Sequence, residues 1–426
     1  MAFMKSMKSF PKNFYTVVVM EFFERGSYYG VMSVLSVYMA LSVGEGGLGF
    51  SKTAIGTIKG TITPLLYFLP ILAGTIADRY GYKKVLSLAF LLMSSGYALT
   101  VMVHTYELVF ASLLLMAVGA GLFKPLISGT IARSTDESNS ALGFGIYYWS
   151  INLGAFIFPL FLIPWLKDLG WNYIFIMAAV GTGWLFLFNL FAFKEPPKPK
   201  NTKSIGKTLG EMVLVVTNLR FILLIIVYSL FWVLYFQMYD SVLWYMTEHL
   251  NMTPVNNAVN SMLSVFISNP SWQFEAEHVT VVNAGVIIAL QLLITALVKK
   301  AKPLPTMIIG IGFGTIGMAM LAISASPWIF VAGIMIFTLG EMVAHPKFIS
   351  YIGLIAPPDK KAVYMGYSFL YGFIGSAVGA FVGAALYVRF IEKTFNPTLL
   401  WLLFSSIGVL SIIGLLIYNR IFGRNE

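Results

Sequence analysis

The chain has no cysteine in its 426 residues, which excludes disulfide bonds and thiolate metal sites. Histidine is nearly as scarce: His104, His249, His278 and His345 are the only four, and their spacing is not that of metal ligands. Charge is thin as well, 11% of residues against 58% hydrophobic, with a mean hydropathy of +0.81. No soluble globular domain of this length has such a composition. Catalytic constellations are missing too: there is no nucleophile elbow, no phosphate loop and no H-E-x-x-H, so an enzyme is not expected. The one dinucleotide-like pattern, Gly312-Phe-Gly314-Thr-Ile-Gly317, lies inside an apolar run with no preceding strand. It reads as close helix packing, as do Gly375, Gly379 and Gly383, spaced four apart.

What the chain has is long apolar runs. Twelve are near the length of a membrane-crossing helix: 14–41, 53–77, 85–104, 108–133, 141–166, 172–193, 219–247, 276–298, 304–324, 327–355, 362–390 and 396–420. A closed barrel would need short alternating strands instead, so the expected fold class is an all-α membrane protein with twelve transmembrane helices. The break at Lys194-Glu195-Pro196-Pro197-Lys198-Pro199-Lys200 reads as the start of a basic linker. It divides a six-helix half at 1–193 from a second half at 219–426, with 194–218 between them. With the amino terminus inside, only Lys52, Lys167, Arg389 and Lys393 of the 28 Lys and Arg fall on the outer side. That bias expects both termini in the cytoplasm and accounts for the +10 net charge without a nucleic-acid partner. A bacterial inner membrane is the expected home. No cleavable signal is expected, because the first run is too long and carries charges. A second polar stretch, 251–278, lies on the outer side, and 259–268 within it is expected to form a short interfacial helix.

Those charges sit at Glu21-Phe22-Phe23-Glu24-Arg25-Gly26-Ser27-Tyr28-Tyr29-Gly30. Each costs roughly 2.5–3.5 kcal/mol at mid-membrane, so a cluster is kept for work. At helical spacing Glu21, Glu24, Arg25, Tyr28 and Tyr29 share an arc of roughly 140°, with Glu21 and Arg25 one turn apart. An inert internal ion pair is the plainer reading, but packed apolar residues would generally serve a fold as well. Lys124 adds an ammonium at membrane depth in Gly119-Ala-Gly121-Leu-Phe123-Lys124-Pro125. Polar groups also recur in Tyr147-Tyr148-Trp149-Ser150-Ile151-Asn152-Leu153-Gly154, at Asn283 and in Gly340-Glu341. Glu21, Glu24 and Glu341 against Arg25 and Lys124 leave one excess negative charge, which desolvation favours neutralising with a proton.

Two resemblances follow. The loop Gly74-Thr-Ile-Ala-Asp78-Arg79-Tyr-Gly81-Tyr-Lys83-Lys84 resembles the signature loop of the major facilitator superfamily, with Asp78 free to engage a helix end or a basic partner. The first-helix pattern E-x-x-E-R-F-x-Y-Y-G, met everywhere except at Gly26, resembles the proton-coupled oligopeptide transporters of that superfamily. So do Phe-Lys-Pro, Tyr-x-x-x-Asn-x-Gly and Gly-Glu in the fourth, fifth and tenth runs. The resemblance implies the major facilitator fold of two six-helix bundles and a symporter importing di- or tripeptides by alternating access. It implies that Arg25 and Lys124 hold the substrate carboxylate, that Glu341 with Asn152 and Asn283 receives the amino terminus, and that Tyr28, Tyr29 and Tyr67 contact the peptide backbone. Glu21 and Glu24 would carry the coupling proton, with Arg25, Lys124 and Glu341 in the same coupled set. Lys52 and Glu248 would form a gating ion pair. No metal or cofactor is implied, only protons as coupling ion, and the transporter is expected to be a monomer.

Departures bear on the substrate. Phe236 stands where the seventh-helix pattern F-W-x-x-x-E-Q has an acid, leaving Asp240, one turn later, as the expected partner for Lys124. Ser368 replaces a usual tryptophan and should reshape a side-chain pocket at the substrate site. His345 and Lys347 follow Glu341, which Lys347 is placed to neutralise, and Lys59 is expected to snorkel. The alternatives are a proton-coupled carrier of another small zwitterion or anion, such as an amino acid, a peptide-like metabolite or nitrate, and a non-transporting membrane sensor using the same pocket.

Overall fold

The computed structural model describes residues 10–136, 139–197, 204–357 and 360–422. Among these the regular secondary structure is helix, with no strand. The long elements are α1 (Lys12–Ala40), α2 (Lys52–Tyr80), α3 (Tyr82–Met102), α4 (Tyr106–Arg133), α5 (Ser140–Ile157) and its continuation α6 (Ile163–Leu169), then α7 (Trp171–Ala192). A short α8 (Ile205–Val216) occupies the expected linker, whose residues 198–203 lie outside the described residues. There follow α9 (Leu219–Gln237), α10 (Ser241–His249), α11 (Thr253–Leu263), α12 (Glu277–Val298), α13 (Pro303–Met320), α14 (Pro327–Ile355), α15 (Lys361–Tyr367), α16 (Leu370–Tyr387) and α17 (Pro397–Phe422). Eleven helical stretches among the described residues are long and apolar enough to cross a membrane. Helix α1 has the length, 29 residues, and its ionic cluster lowers its hydropathy; with it the expected twelve are present. The chain is a multi-pass integral membrane protein.

Three spans are interrupted. A π-helical turn, Phe158–Leu162, separates α5 from α6 around Pro159, which has no N–H to give to a regular ladder. A second π turn, Val388–Lys393, ends α16. The seventh span breaks at 238–240, where the N–H groups of Met238, Tyr239 and Asp240 turn to carbonyls three residues back. The interfacial helix expected at 259–268 instead begins at Thr253, because Pro254 sets the first turn and the Asn251 side chain accepts from the Thr253 N–H at 3.0 Å.

Two compact units emerge. The first comprises Met1–Val31 and Thr61–Val215, the second Met32–Gly60 and Val216–Glu426, so α1 and α2 each contribute to both. In the first, α3 packs on α4 and α7. Gly96 and Gly119 let α3 and α4 approach backbone to backbone, and Gly121 meets Leu69 and the Leu65 carbonyl of α2, which sets Lys124 into this unit. The signature-like loop is fixed here too: Gly81 turns at φ +103°, Arg133 donates to Asp78 at 2.9 Å, and Glu195 accepts from the Tyr82 and Lys83 N–H groups at the start of α3. In the second unit α13 packs on α14 and α17, and α9 on α16 and α17. Gly314 and Gly317 make the close contacts expected of them, whereas Gly312 faces open space; Gly375, Gly379 and Gly383 all meet α9.

Candidate functional site

In the first unit the ionic cluster folds into one buried group. Arg25 presents Nε and Nη2 side-on to the Glu24 carboxylate at 2.5 and 2.7 Å, a bidentate fork. Adjacent helical residues do not normally face each other, so it is the length of the arginine stem that lets it turn back on Glu24. Glu21, the residue one turn away, lies 3.7 Å from Nε and is fully buried. Neither of its oxygens has a hydrogen-bond partner among the described residues. The Arg25 guanidinium also lies 4.7 Å from the Tyr28 ring centre and 5.9 Å from that of Tyr29.

Lys124 joins this group electrostatically, with its ammonium 5.9 Å from the Tyr67 ring centre. Pro125 follows it in α4, and Ser128 turns its hydroxyl to the Lys124 and Pro125 carbonyls. Arg25, Tyr28, Tyr29, Leu66, Tyr67, Ala120 and Lys124 line a small concavity of about 50 Å³. It offers two cations and three phenols, a lining suited to a carboxylate with adjacent peptide groups. Asn152 is buried in the same unit, with its amide donating to the Tyr148 carbonyl at 2.9 Å.

Gly26, the departure from the first-helix pattern, has a steric cause. Ring atoms of Phe158, from the π turn, stand where a Cβ at position 26 would be, the nearest three including Cδ2 at 2.5 Å. A Cβ at Gly154 would likewise lie 2.6 Å from the Phe22 carbonyl oxygen, so α5 comes against α1 there without a side chain between. The aromatic volume is thus supplied by α5 and not by α1.

In the second unit Asn283 of α12 donates to both Thr338 at 3.0 Å and Glu341 at 3.1 Å on α14. An amide that holds a carboxylate in place leaves its other lone pairs for a cationic ligand. One turn on from Glu341, His345 Nδ1 lies 3.3 Å from the Tyr228 hydroxyl, among the rings of Trp232, Phe348 and Tyr371. Lys347 does not neutralise Glu341: it donates to the Ala301 carbonyl at 2.8 Å, beyond the end of α12. Six residues on a helix put the two side chains about 120° apart and roughly 9 Å along the axis, too far for a direct pair. Ser368 is buried at the α15–α16 break with its hydroxyl on the Met365 carbonyl at 2.7 Å.

Lys52 at the start of α2 and Glu248 near the end of α10, the two residues expected at a gate, form an ion pair. Tyr387 donates to the other Glu248 oxygen at 2.8 Å. Seven residues along α2 a second cation is engaged, and it corrects two expectations. Lys59 does not snorkel; it is 5% exposed and pairs with Asp240, which thereby serves Lys59 as its partner instead of Lys124. Sequence reasoning missed Ser36, Thr338 and Tyr387 as partners in these groups. The seven-residue spacing of Lys52 and Lys59 against the eight-residue spacing of Asp240 and Glu248 was a usable signal for the second pair.

The Major Facilitator Superfamily profile matches residues 17–380. A dipeptide and tripeptide permease A of Klebsiella pneumoniae is 32% identical over 176 residues, 40% of this chain and 34% of that protein. A di-/tripeptide transporter of Lactococcus lactis is 30% identical over 232 residues, 50% of this chain and 46% of that protein. The chain spans less than half the length of these curated relatives, which are transporters by name and not enzymes. A POT family transporter solved in complex with 5-aminolevulinic acid superposes with a TM-score of 0.77 at 21% identity, covering 98% of this chain and 100% of that one. Twelve long apolar helices with this overall likeness, and a profile match over most of the chain, establish that the chain belongs to the Major Facilitator Superfamily.

Proposed function

We propose that the chain is a proton-coupled symporter that imports di- and tripeptides by alternating access across a bacterial inner membrane, with both termini in the cytoplasm. One observation carries this reading: a buried Glu24–Arg25 fork beside Lys124 and three tyrosines, with Glu21 buried nearby and given no hydrogen bond among the described residues. The names of the similar permeases support the peptide as substrate.

In this scheme the peptide carboxylate is taken by Arg25 and Lys124, and its ammonium by Glu341, held by Asn283. The tyrosines contact the backbone between, where consecutive Cα atoms are about 3.8 Å apart. With its Nε and one Nη2 proton spent side-on on Glu24, Arg25 has only part of its guanidinium and part of its charge to offer a ligand. A proton entering at Glu21 or Glu24 removes the charge that competes for the guanidinium and frees it for substrate. Proton loss to the cytoplasm restores the fork and expels the peptide. Burying an ionised carboxylate without a donor is costly, which singles out Glu21 as the carrier.

The test is uptake of a labelled dipeptide into proteoliposomes with and without an imposed inward proton gradient. Stimulation by the gradient is expected in the parent protein and is abolished in Glu21→Gln and Glu24→Gln. Full stimulation in both variants would refute the coupling scheme. A second reading, an amino-acid-like zwitterion as the substrate, is favoured by the 5-aminolevulinic acid complex of the similar transporter. Thermal stabilisation by amino acids but by no peptide would select it.

A further inference from the structure

We propose that Tyr97 of α3 is the alternate partner of Glu24: when the Glu24–Arg25 fork opens, the protonated Glu24 carboxyl turns from Arg25 to the Tyr97 hydroxyl, which donates to its carbonyl oxygen. The proposal rests on the proton-coupled reading above, and concerns only residues of the first unit.

Tyr97 carries a hydroxyl held in reserve. The residue is 0% exposed, and its oxygen makes no hydrogen bond among the described residues. A buried hydroxyl without a partner is destabilising, and phenylalanine would fill the same space without that cost. A hydroxyl retained in such a place serves another state of the molecule. Of the groups that bear on it electrostatically, Glu24 comes first, then Tyr28 and Arg25.

The packing of α3 explains the placement. Gly96 sets α3 against the α4 backbone at Met116 and Ser112, with Cβ distances of 2.6 and 2.7 Å, so the next residue, about 100° round the helix, stands clear of that contact. Ser94, three residues before Tyr97 and on nearly the same side, donates to the Ala179 carbonyl of α7 at 2.8 Å. Gly181 of α7 in turn meets the Ser27 hydroxyl of α1, 2.8 Å from its Cβ position. Helix α7 thus holds α3 beside the part of α1 that carries Glu24, and it has no charged residue of its own. The titratable groups facing Glu24 are Glu21, Arg25 and Tyr28 on its own helix, Tyr97 on α3, Lys124 on α4 and Tyr147 on α5. Of the three phenols, Tyr97 is the one whose oxygen is fully buried and unbonded among the described residues.

In the closed fork Arg25 takes both Glu24 oxygens, so Tyr97 is left without its acceptor. A proton carried in by Glu21 releases Arg25 only when it reaches Glu24, because Glu24 holds the guanidinium. The proton then stays on one Glu24 oxygen, Tyr97 keeps its own proton and donates it to the other oxygen, and Arg25 is left to the substrate carboxylate. Opening the fork thereby gives the buried acid a new bond instead of stranding it.

The test is infrared difference spectroscopy of the protein in nanodiscs between alkaline and acid buffer, without substrate. The carbonyl stretch of protonated Glu24 is the band missing from Glu24→Gln. In Tyr97→Phe that band is expected to move to higher frequency, as a carbonyl does on losing a donor. In Ser27→Ala, which removes the other buried, unbonded hydroxyl of this region, it should stay in place. A Glu24 band unmoved by Tyr97→Phe, or moved as far by Ser27→Ala, overturns the proposal and leaves proton coupling standing. Lower thermal stability of Tyr97→Phe at alkaline pH would show a hydroxyl already bonded in the closed fork, and would also overturn it. A parent protein with no Glu24 band refutes the proposal together with Glu24 as a proton site. The readout contains no peptide, so it is unaffected if the substrate assignment fails.

Discussion

Phe158 occupies the space that a side chain at Gly26 would need, its Cδ2 and Cγ lying 2.5 and 2.7 Å from the Cβ position. The two residues are therefore one packing decision, with the ring entering the α1–α5 crossing from the π turn. Gly26→Phe is expected to overpack this crossing and lower stability by about 1–3 kcal/mol. Phe158→Ala alone leaves a cavity and costs a comparable amount. Combined, Gly26→Phe and Phe158→Ala should recover a large part of either loss, a coupling that thermal unfolding of the four proteins in detergent would measure. Strict additivity would show that the contact does not govern packing here.

Glu24 and Glu21 are expected to separate in their effects. Glu24→Gln keeps one acceptor for Arg25 but removes the charge, so peptide exchange across a membrane at equal pH should survive while accumulation is lost. Glu21→Gln fixes the neutral form at a site where no hydrogen bond is made among the described residues, and should raise thermal stability slightly as it abolishes gradient-driven uptake. Counterflow assays beside gradient-driven assays read these outcomes.

Arg25→Lys keeps the charge but loses the planar fork that meets Glu24 at two points. Peptide-induced thermal stabilisation is expected to fall at least tenfold in apparent affinity, about 1.4 kcal/mol. Lys124→Arg should be milder, since an ammonium over the Tyr67 ring acts as a point charge.

Glu195→Ala removes the acceptor for two N–H groups at the start of α3. A cost of ~1 kcal/mol is expected, in the range of a lost helix cap, with Glu195→Gln losing less. Differential scanning fluorimetry of both variants checks the order.

The long helices were legible because bilayer thickness sets their length and every run of apolar residues near 20 declares itself. The run at 327–355 is matched by Pro327–Ile355 at both ends. Interruptions were not legible in the same way. Pro159 was visible as a potential break, but whether a proline kinks, bulges or is absorbed depends on neighbours, and Pro64, Pro70 and Pro346 lie inside uninterrupted helices. The cationic pocket was readable as five residues, Arg25, Tyr28, Tyr29, Tyr67 and Lys124, on expected helices. The Glu24 fork was not, since spacing alone favours Glu21 for Arg25. Lys59 was misread because its partner lies 181 residues away and no local pattern announces it. Lys347 was likewise settled only by its contact with the Ala301 carbonyl, 46 residues away.

The two cations of α2 are seven residues apart, and the two acids of the α9–α10 segment that they meet are eight apart, in opposite chain direction. Along a helix these spacings are about 10.5 and 12 Å, close enough for both pairs to seat at once. A slip of one helical turn, about 5.4 Å, would leave Lys52, Lys59, Asp240 and Glu248 all facing the wrong neighbours. Two charge pairs at matched spacing act as an index, so that each return to the closed state lands in the same register.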